Sequence, residues 1–427
     1  MIVWLINPYG PIPSESWRDY SFTIMADALV RAGHDVIWWT SNFSHHFKKY
    51  RSSGWTDMQV KKHFIIRLVP TPGYKHNVSI RRLVRDVVFS CRTYLCGKML
   101  DAPDCIIYYE SPFSFGYAGQ KLAQFHNCPV IFDQMDLWPE LIEQIFPQPL
   151  RHLVKLIFRP VYNSRKNVYA RLSGAVGLAQ PYLDVMLGDA PVLRSRPHEV
   201  IYNGVDVEIF RRTMKDVAVP EILRLLKKDG EVWAVFAGTL GPSYDISTLL
   251  EVAEKIEGEK STLRLIVAGD GPLRSQVEKY VAEKSHSRLH YAGQLSPEKL
   301  IALYKICDIG LCAYSTKSNV EMPDKIYDYT AAGLPVVNSL QGEVSKVISE
   351  KQLGLQYQPG DSHDLLEKLV RLANDGSMRA QMAKNSFDAG MVYDRHVQYG
   401  KLIQIIGKVC TPKPSLSMIS AEKYAVD

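Results

Sequence analysis

The chain has 427 residues, 46% hydrophobic and 22% charged, with a net charge of +6. That composition excludes a disordered chain, and the length suits two domains of roughly 200 residues each. No run approaches ~18 uninterrupted apolar residues, which excludes a membrane-spanning helix, and the seven cysteines form no CxxC pair, which favours buried free thiols in a reducing cytoplasm over a metal or disulfide framework.

The N-terminal run lacks a preceding basic region and leads straight into strand-like sequence, so a strand is expected there rather than a signal peptide. Strands are predicted over residues 2–7, 35–41, 64–70, 105–110, 129–134, 174–179 and 199–204. Between the first two, Phe22, Met25, Leu29 and Val30 recur at helical spacing. The pattern then restarts: strands over 232–238, 263–269, 289–293, 309–314, 334–339 and 353–358 alternate with helices over 248–257, 273–285, 297–307, 324–332 and 362–374. Near-continuous apolar strands alternating with helices argue for parallel sheets covered on both faces. The expected organisation is a first Rossmann-like domain over 1–204, a second over 205–395, a last helix over 396–412 returning to the first domain, and a loose tail over 413–427.

Charge is uneven, with a net of +7 over residues 1–204 and −1 over the rest. Two amphipathic helices contribute. Over 78–95, Ile80, Leu83, Val84, Val87, Val88, Cys91, Tyr94 and Leu95 share a face that Arg81, Arg82, Arg85 and Arg92 avoid. Over 150–158, Arg151, Lys155 and Arg159 form an i, i+4, i+8 stripe. The apolar faces are expected on the sheet and the arginines in solvent, where anionic lipid or a polyprenyl diphosphate would meet them.

The most informative stretch runs from Glu321 to Val337, EMPDKIYDYTAAGLPVV. Pro323 suits the first turn of a helix, with Asp324 and Asp328 near its positive end. Lys325 lies where the helix dipole disfavours a cation, and an anionic ligand at that terminus would account for it. An incidental lysine on a capped helix is the competing reading of the residues alone. Glycine-bearing turns follow three strands, at 237–241, 267–272 and 291–294, and Tyr244-Asp245 follows the first of them. In the first half, 136–140 reads DLWPE and 201–206 reads IYNGVD.

This ordered set, spanning Asn7 to about Val409, resembles the family 4 retaining glycosyltransferases, and within them the WbuB-like branch of bacterial surface-polysaccharide enzymes. The resemblance implies the GT-B fold, two Rossmann-like domains with parallel sheets facing across a cleft. It implies an acceptor-binding first domain and a nucleotide-sugar-binding second domain. Asp328 matches the second acid of the family's EX7E signature, the ribose contact. Glu321 is the candidate for the first acid, although 321 to 328 is one residue short of the signature; a loop contact or plain exposure is the alternative. The Arg and Lys that many members place after the first strand of the second domain are Thr239 and Tyr244 here. Compensation of the leaving diphosphate would then fall to Lys325, its helix terminus, the Thr239 hydroxyl and the Gly241 amide. Gly271, Asp324, Gln294 and Leu295 complete the expected donor side, the last two beside the base, and Gly10 approaches the diphosphate from the first domain.

On the acceptor side, Arg18, His45, Glu110 and Asp136 end strands or sit in loops of the first domain. Arg18 has Glu15 or Asp19 as alternative ion-pair partners, and the adjacent His45 and His46 read more readily as solvated than as binding residues. No HxxxH, CxxC or acidic cluster has metal-ligand spacing, and the resembled enzymes generally work without a catalytic metal. No cofactor is therefore expected, the nucleotide sugar being a co-substrate. The expected acceptor is a glycan or a polyprenyl-diphosphate-linked saccharide, with an anionic membrane as a further partner and no nucleic acid. The expected location is the inner face of the plasma membrane, peripherally. A nucleotide-sugar 2-epimerase and a non-catalytic nucleotide-sugar-binding subunit are the alternatives; a dehydrogenase is disfavoured, since neither first-strand turn carries GxGxxG.

Overall fold

A computed structural model describes residues 1–15, 20–77, 79–109, 117–143, 146–257, 262–284 and 287–410. The expected acceptor residues Arg18 and Glu110 and the tail over 413–427 lie outside the described residues. The chain divides into two compact units, the first formed by Met1–Ile201 with the segment that starts at Tyr399, the second by Tyr202–Gln398.

Unit 1 runs β1 (Ile2–Ile6), α1 (Ser21–Arg31), β2 (Asp35–Ser41), β3 (Thr56–Lys61), β4 (Phe64–Val69), α2 (Ile80–Gly97), β5 (Cys105–Tyr108), α3 (Ala118–His126), β6 (Val130–Gln134), α4 (Glu140–Glu143), α5 (Gln148–Ile157), α6 (Arg159–Tyr169), β7 (Gly174–Gly177), α7 (Gln180–Asp189) and β8 (His198–Val200). Unit 2 follows with α8 (Val207–Asp216), α9 (Glu221–Leu226), β9 (Val232–Ala237), α10 (Ile246–Glu257), β10 (Leu263–Ala268), α11 (Arg274–Glu283), β11 (Leu289–Gly293), α12 (Pro297–Tyr304), β12 (Ile309–Cys312), α13 (Asp324–Ala332), β13 (Val336–Asn338), α14 (Glu343–Glu350), β14 (Gly354–Gln356), α15 (Ser362–Asn374) and α16 (Gly376–Gly390). The last helix, α17 (Arg395–Val409), carries the chain back into unit 1, where the Tyr399 hydroxyl donates to the Ser21 carbonyl.

The sheet of unit 1 has the order β3-β4-β2-β1-β5-β6-β7-β8, and that of unit 2 the order β11-β10-β9-β12-β13-β14. Every pairing is parallel except β3 with β4. Helices cover both faces, so central strands such as β1, β5 and β9 read as apolar runs, and Trp4, Trp38, Trp39 and Trp233 are fully buried. In each sheet the chain winds outward from a central strand and then crosses to the other side. The reversal lies between β1 and β5 in unit 1 and between β9 and β12 in unit 2, and ligands of such sheets bind beyond the carboxyl ends of strands at such points.

Three expectations need correction. Strand β3, TDMQVK, was absent from the sequence reading because it is an exposed antiparallel edge strand without an apolar run. Helices α14 and α16 also lie where no helix was expected. The third correction concerns α2: Arg81 and Arg92 are exposed as expected, but the buried stripe is not the apolar face. Its inward stripe is Arg85, Asp86, Phe89, Ser90, Thr93 and Gly97, while Ile80, Val84, Val87 and Leu95 are exposed. The reason is that α2 packs a polar stripe toward strand ends that carry tyrosines, so the guanidinium of Arg85 finds partners inside. No helix among the described residues is long and apolar enough to cross a membrane.

Candidate functional site

In unit 2 the carboxyl ends of β9, β10 and β11 are tied together through their backbones. Gly238 N–H donates to Ala268 O at 2.9 Å, Gly269 N–H to Gly293 O at 2.8 Å, and Leu240 N–H to Asp270 O at 2.9 Å. A Cβ on Gly269 would fall 1.8 Å from the Gly238 carbonyl oxygen, and one on Gly271 2.5 Å from that of Leu240. Both residues have φ values, +142° and +151°, that suit glycine alone, so these turns are stacked by their glycines. Gly271 thus has a packing role whatever else it touches. Thr239 stands exposed at the tip of the first turn, Gly241 is buried behind it, and Gln294 and Leu295 form the turn after β11.

Lys325 enters this edge from the first turn of α13 and is buried. Its Nζ lies 4.2 Å from the Tyr244 ring centroid, 5.0 Å from Tyr314 and 5.1 Å from Phe236, and it donates to the Tyr314 hydroxyl at 3.4 Å. Three aromatic faces stabilise the ammonium by cation–π attraction, about 2 kcal/mol each at most when desolvated. On its remaining side is Gly238, where a Cβ would come within 2.5 Å of Nζ. The cation is therefore held against the backbone of the β9 turn, at the point where the sheet order reverses. Tyr314 lies two residues beyond the end of β12 and bridges to Tyr244 across that crevice. Sequence reasoning singled out Lys325 and Tyr244 but missed Phe236 and Tyr314, whose signal was an aromatic residue at the carboxyl end of each flanking strand.

Asp324 and Asp328 lie on the same helix and are half-buried. Asp324 Oδ1 accepts from Asn203 Nδ2 at 3.3 Å. The buried Cys312 thiol, pushed up to about 12 first by burial, senses both Lys325 and Asp328, which places those two groups near it. Glu321 is committed locally: its Oε2 accepts from the Glu343 N–H at 3.0 Å, so the carboxylate caps α14 through the side chain of a distant residue. The Tyr202 hydroxyl donates to the Glu343 carboxylate at the same end.

Unit 1 gathers a second cluster at the carboxyl ends of its parallel strands. Tyr9 follows β1, His45 follows β2, Tyr74 follows β4, Tyr109 follows β5 and Asp136 follows β6. The Tyr109 hydroxyl donates to Asp136 Oδ2 at 3.0 Å, and burial raises the Asp136 pKa. His45 Nδ1 hydrogen-bonds the Tyr74 hydroxyl, its ring meets that of Tyr9 edge-on at 5.4 Å, and burial with three nearby cations lowers its pKa to about 3. His46 by contrast is exposed. Gly10 packs under the Tyr20 ring, where a Cβ would clash at 2.2 Å, and its carbonyl accepts from Arg51 at 2.7 Å. Sequence reasoning brought His45 and Asp136 to this edge but missed Tyr9, Tyr74, Arg85 and Asp86, because α2 was oriented with its arginines outward.

Residues 221–388, which include the Lys325 pocket, match the family model described as Glycosyl transferases group 1. Chitobiosyldiphosphodolichol beta-mannosyltransferase of Arthroderma benhamiae is 34% identical to the chain over 32% of it, covering 33% of that relative. Alpha-monoglucosyldiacylglycerol synthase of Streptococcus pneumoniae is 24% identical over 62% of the chain and 59% of its own length. The chain thus spans between a third and three fifths of these two relatives. Anabaena Alr3699/HepE, solved in complex with UDP and glucose, superposes with a TM-score of 0.63 over 95% of this chain and 98% of that one at 13% identity. Together with the two α/β units and their mostly parallel sheets, that likeness makes the fold GT-B, with the residues that match the family model in its second unit.

Proposed function

We propose that the protein is a retaining glycosyltransferase that moves a sugar from a nucleotide diphosphate sugar to a hydroxyl acceptor. The observation that carries the reading is Lys325, a buried ammonium at the reversal point of the unit 2 sheet and inside the matched glycosyltransferase domain. In the proposed reaction the bond from the anomeric carbon to the phosphate oxygen breaks as the bond to the acceptor oxygen forms. The departing phosphate oxygen takes the acceptor proton, and the diphosphate gains negative charge. Lys325, the first turn of α13, Thr239 and Gly241 stabilise that charge, Asp328 holds the ribose, and Asp324, Tyr244, Gly271, Gln294 and Leu295 surround the donor. The Glu321 carboxylate serves as a cap rather than a sugar contact, and no metal takes part. The two relatives carry opposite anomeric prefixes in their names, beta and alpha, so retention rests on the resemblance to family 4 and not on them.

The acceptor belongs to unit 1, and the resemblance to the WbuB-like branch favours a lipid-linked glycan of bacterial lipopolysaccharide or exopolysaccharide synthesis. Alpha-monoglucosyldiacylglycerol synthase, by its name, makes a lipid product, which supports work at a membrane. Helix α5 supplies a surface for this: Leu150, Leu153, Leu156 and Ile157 are exposed on it, Arg151 and Lys155 are on the same helix, and Arg159 opens α6 directly after it. The protein accordingly sits peripherally on the cytoplasmic membrane face.

Thermal stabilisation by a panel of nucleotide sugars identifies the donor, because a ligand bound only to the folded state raises its apparent stability. With that donor, Lys325→Met is expected to lower turnover more than donor affinity, since the charge it meets grows in the transition state. Asp328→Ala is expected to weaken the free nucleoside diphosphate and the full donor alike, by on the order of 1–3 kcal/mol. Turnover should survive EDTA. Equal turnover in Lys325→Met would overturn the assignment of the leaving-group charge to this lysine.

A further inference from the structure

We propose that Lys48 and Arg82, standing over the buried Arg85 at the carboxyl edge of the unit 1 sheet, form an oxyanion site that takes a phosphate or diphosphate group of the acceptor. That the anion belongs to the acceptor rests on the glycosyltransferase reading; that the cluster takes an anion does not.

Arg85 is the floor of the cluster. It is fully buried, with its guanidinium 4.5 Å from the Tyr9 ring and 5.3 Å from that of Tyr74, and it donates to the Tyr74 hydroxyl at 3.0 Å. Its charge is matched: Arg85 Nε lies 3.2 Å from Asp86 Oδ1, and Asp86 Oδ2 accepts from the Tyr9 hydroxyl at 2.6 Å. The pair is neutral overall, although Arg85 Nε and Asp86 Oδ1 face each other without a hydrogen bond, so cations added above it bring net positive charge.

Two more cations stand on that base. Arg82 lies 5.1 Å from the Tyr9 ring and 6.0 Å from Trp138, and it donates to Asn77 O at 2.9 Å. Lys48 lies 4.5 Å from the Tyr74 ring and donates to Asn77 Oδ1 at 2.5 Å. Among the described residues no carboxylate makes an ion pair with either, and both bond to neutral oxygens of the same residue. Asp86 and Asp136, two carboxylates of this edge, are already hydrogen-bonded by Tyr9 and Tyr109. The pKa of Lys48 is lowered by desolvation first and then by Arg82 and Arg85, as expected where cations converge, whereas, against desolvation, Tyr9 and Asp86 hold that of Arg82 up.

Backbone geometry points the same way. Lys48 has φ +55°, a left-handed conformation that lysine seldom adopts. It is imposed by a tight turn in which Lys48 N–H donates to Ser44 O at 3.0 Å and Ser44 N–H to Lys49 O at 2.8 Å. The result is a lysine delivered over Tyr74, beside a second cation rather than away from it. Strained conformations that persist in this manner concentrate at ligand sites. A phosphate or diphosphate, with several acceptor oxygens and more than one negative charge, is the chemical class that an arginine and a lysine over a buried arginine would recognise.

The test uses the full-length protein carrying Lys325→Met, so that the proposed unit 2 diphosphate contact is weakened, and titrates inorganic pyrophosphate by calorimetry at low salt. Binding is expected in this background and should weaken at least ten-fold on adding Lys48→Gln and Arg82→Gln. Lys48→Arg, which keeps the charge, should stay near the parent and guards against a mere loss of fold. A soluble short-chain alkyl diphosphate is titrated alongside. Tighter binding of the alkyl compound, lost with the same two substitutions, assigns the anion to a lipid-borne acceptor; equal binding assigns it to the phosphate group alone. Pyrophosphate affinity indifferent to Lys48 and Arg82 overturns the site. If nucleotide sugars fail to bind while this dependence holds, the glycosyltransferase reading falls and the anion site stands.

Discussion

At the scale of single residues, Asp133 shows how burial without a countercharge becomes a pH response. It ends β6 in the interior of unit 1, and burial raises its pKa from 3.8 to about 7. Between these values the unfolded chain releases the proton while the folded chain keeps it. Stability is therefore undiminished below about 3.8, falls as pH rises through the interval, and levels off above about 7. Asp133→Asn, which cannot ionise, should melt several degrees higher than the parent at pH 8 and show no advantage near pH 4, at roughly 2–4 °C per kcal/mol for a unit of this size. Melting curves across that range check it; a constant difference at all pH values would mean that the effect is one of packing. Nothing in the sequence marked Asp133, whereas Lys325 and Asp328 were legible because their motif fixes both a helix start and a strand end. The aromatic rings around Lys325 come from three separate segments, and no local pattern joins Phe236 with Tyr314.

Among the elements, α14 depends on a residue outside it. Its N-cap position is Gly342, which has no side chain to offer, and the Glu321 carboxylate supplies the missing acceptor. Glu321→Ala should therefore cost about 1 kcal/mol of stability and raise amide exchange in the first turn of α14, while Glu321→Gln should retain most of the cap. Loss of turnover with unchanged stability in Glu321→Ala would instead return this residue to the donor sugar. The parallel strands were readable in the sequence because burial on both faces removes polar residues from them. Edge strand β3 was not, since one exposed face and a polar composition leave no apolar run. Helix α2 misled for a deeper reason: periodicity reports which residues share a face, not which face turns inward. Its polar stripe meets tyrosines at the ends of distant strands, and that complementarity is invisible in a single segment.

At the level of the whole molecule, positive charge is concentrated in the first 204 residues, a net of +7 against −1 elsewhere. Part of it is internal, since Arg85 and Arg165 are buried in ion pairs with Asp86, Glu140 and Asp189. The surface share on α5 is the portion available to a bilayer, where each Lys or Arg contributes about 1 kcal/mol near anionic lipid. Binding to liposomes should rise with anionic lipid and fall with salt, and Leu153→Glu with Leu156→Glu should release the protein while nucleotide binding persists. Wild-type protein that ignores anionic liposomes at low salt would make α5 an ordinary surface helix.

The chain leaves unit 1 at Ile201 and re-enters it at Tyr399. Within α17, Leu402 and Ile406 are buried and Ile405 lies against the place where Gly174 has no side chain; just after the helix, Cys410 Sγ reaches the Asp104 carbonyl at 3.7 Å. Unit 2 is thus an uninterrupted stretch set inside a discontinuous one. During synthesis on the ribosome its entire sequence emerges before the last helix of the unit that began first. The N-terminal sheet must wait, with part of its apolar surface uncovered, until α17 has left the exit tunnel. The order of completion runs opposite to the order of translation, and a fragment ending at Ile201 would keep that surface bare.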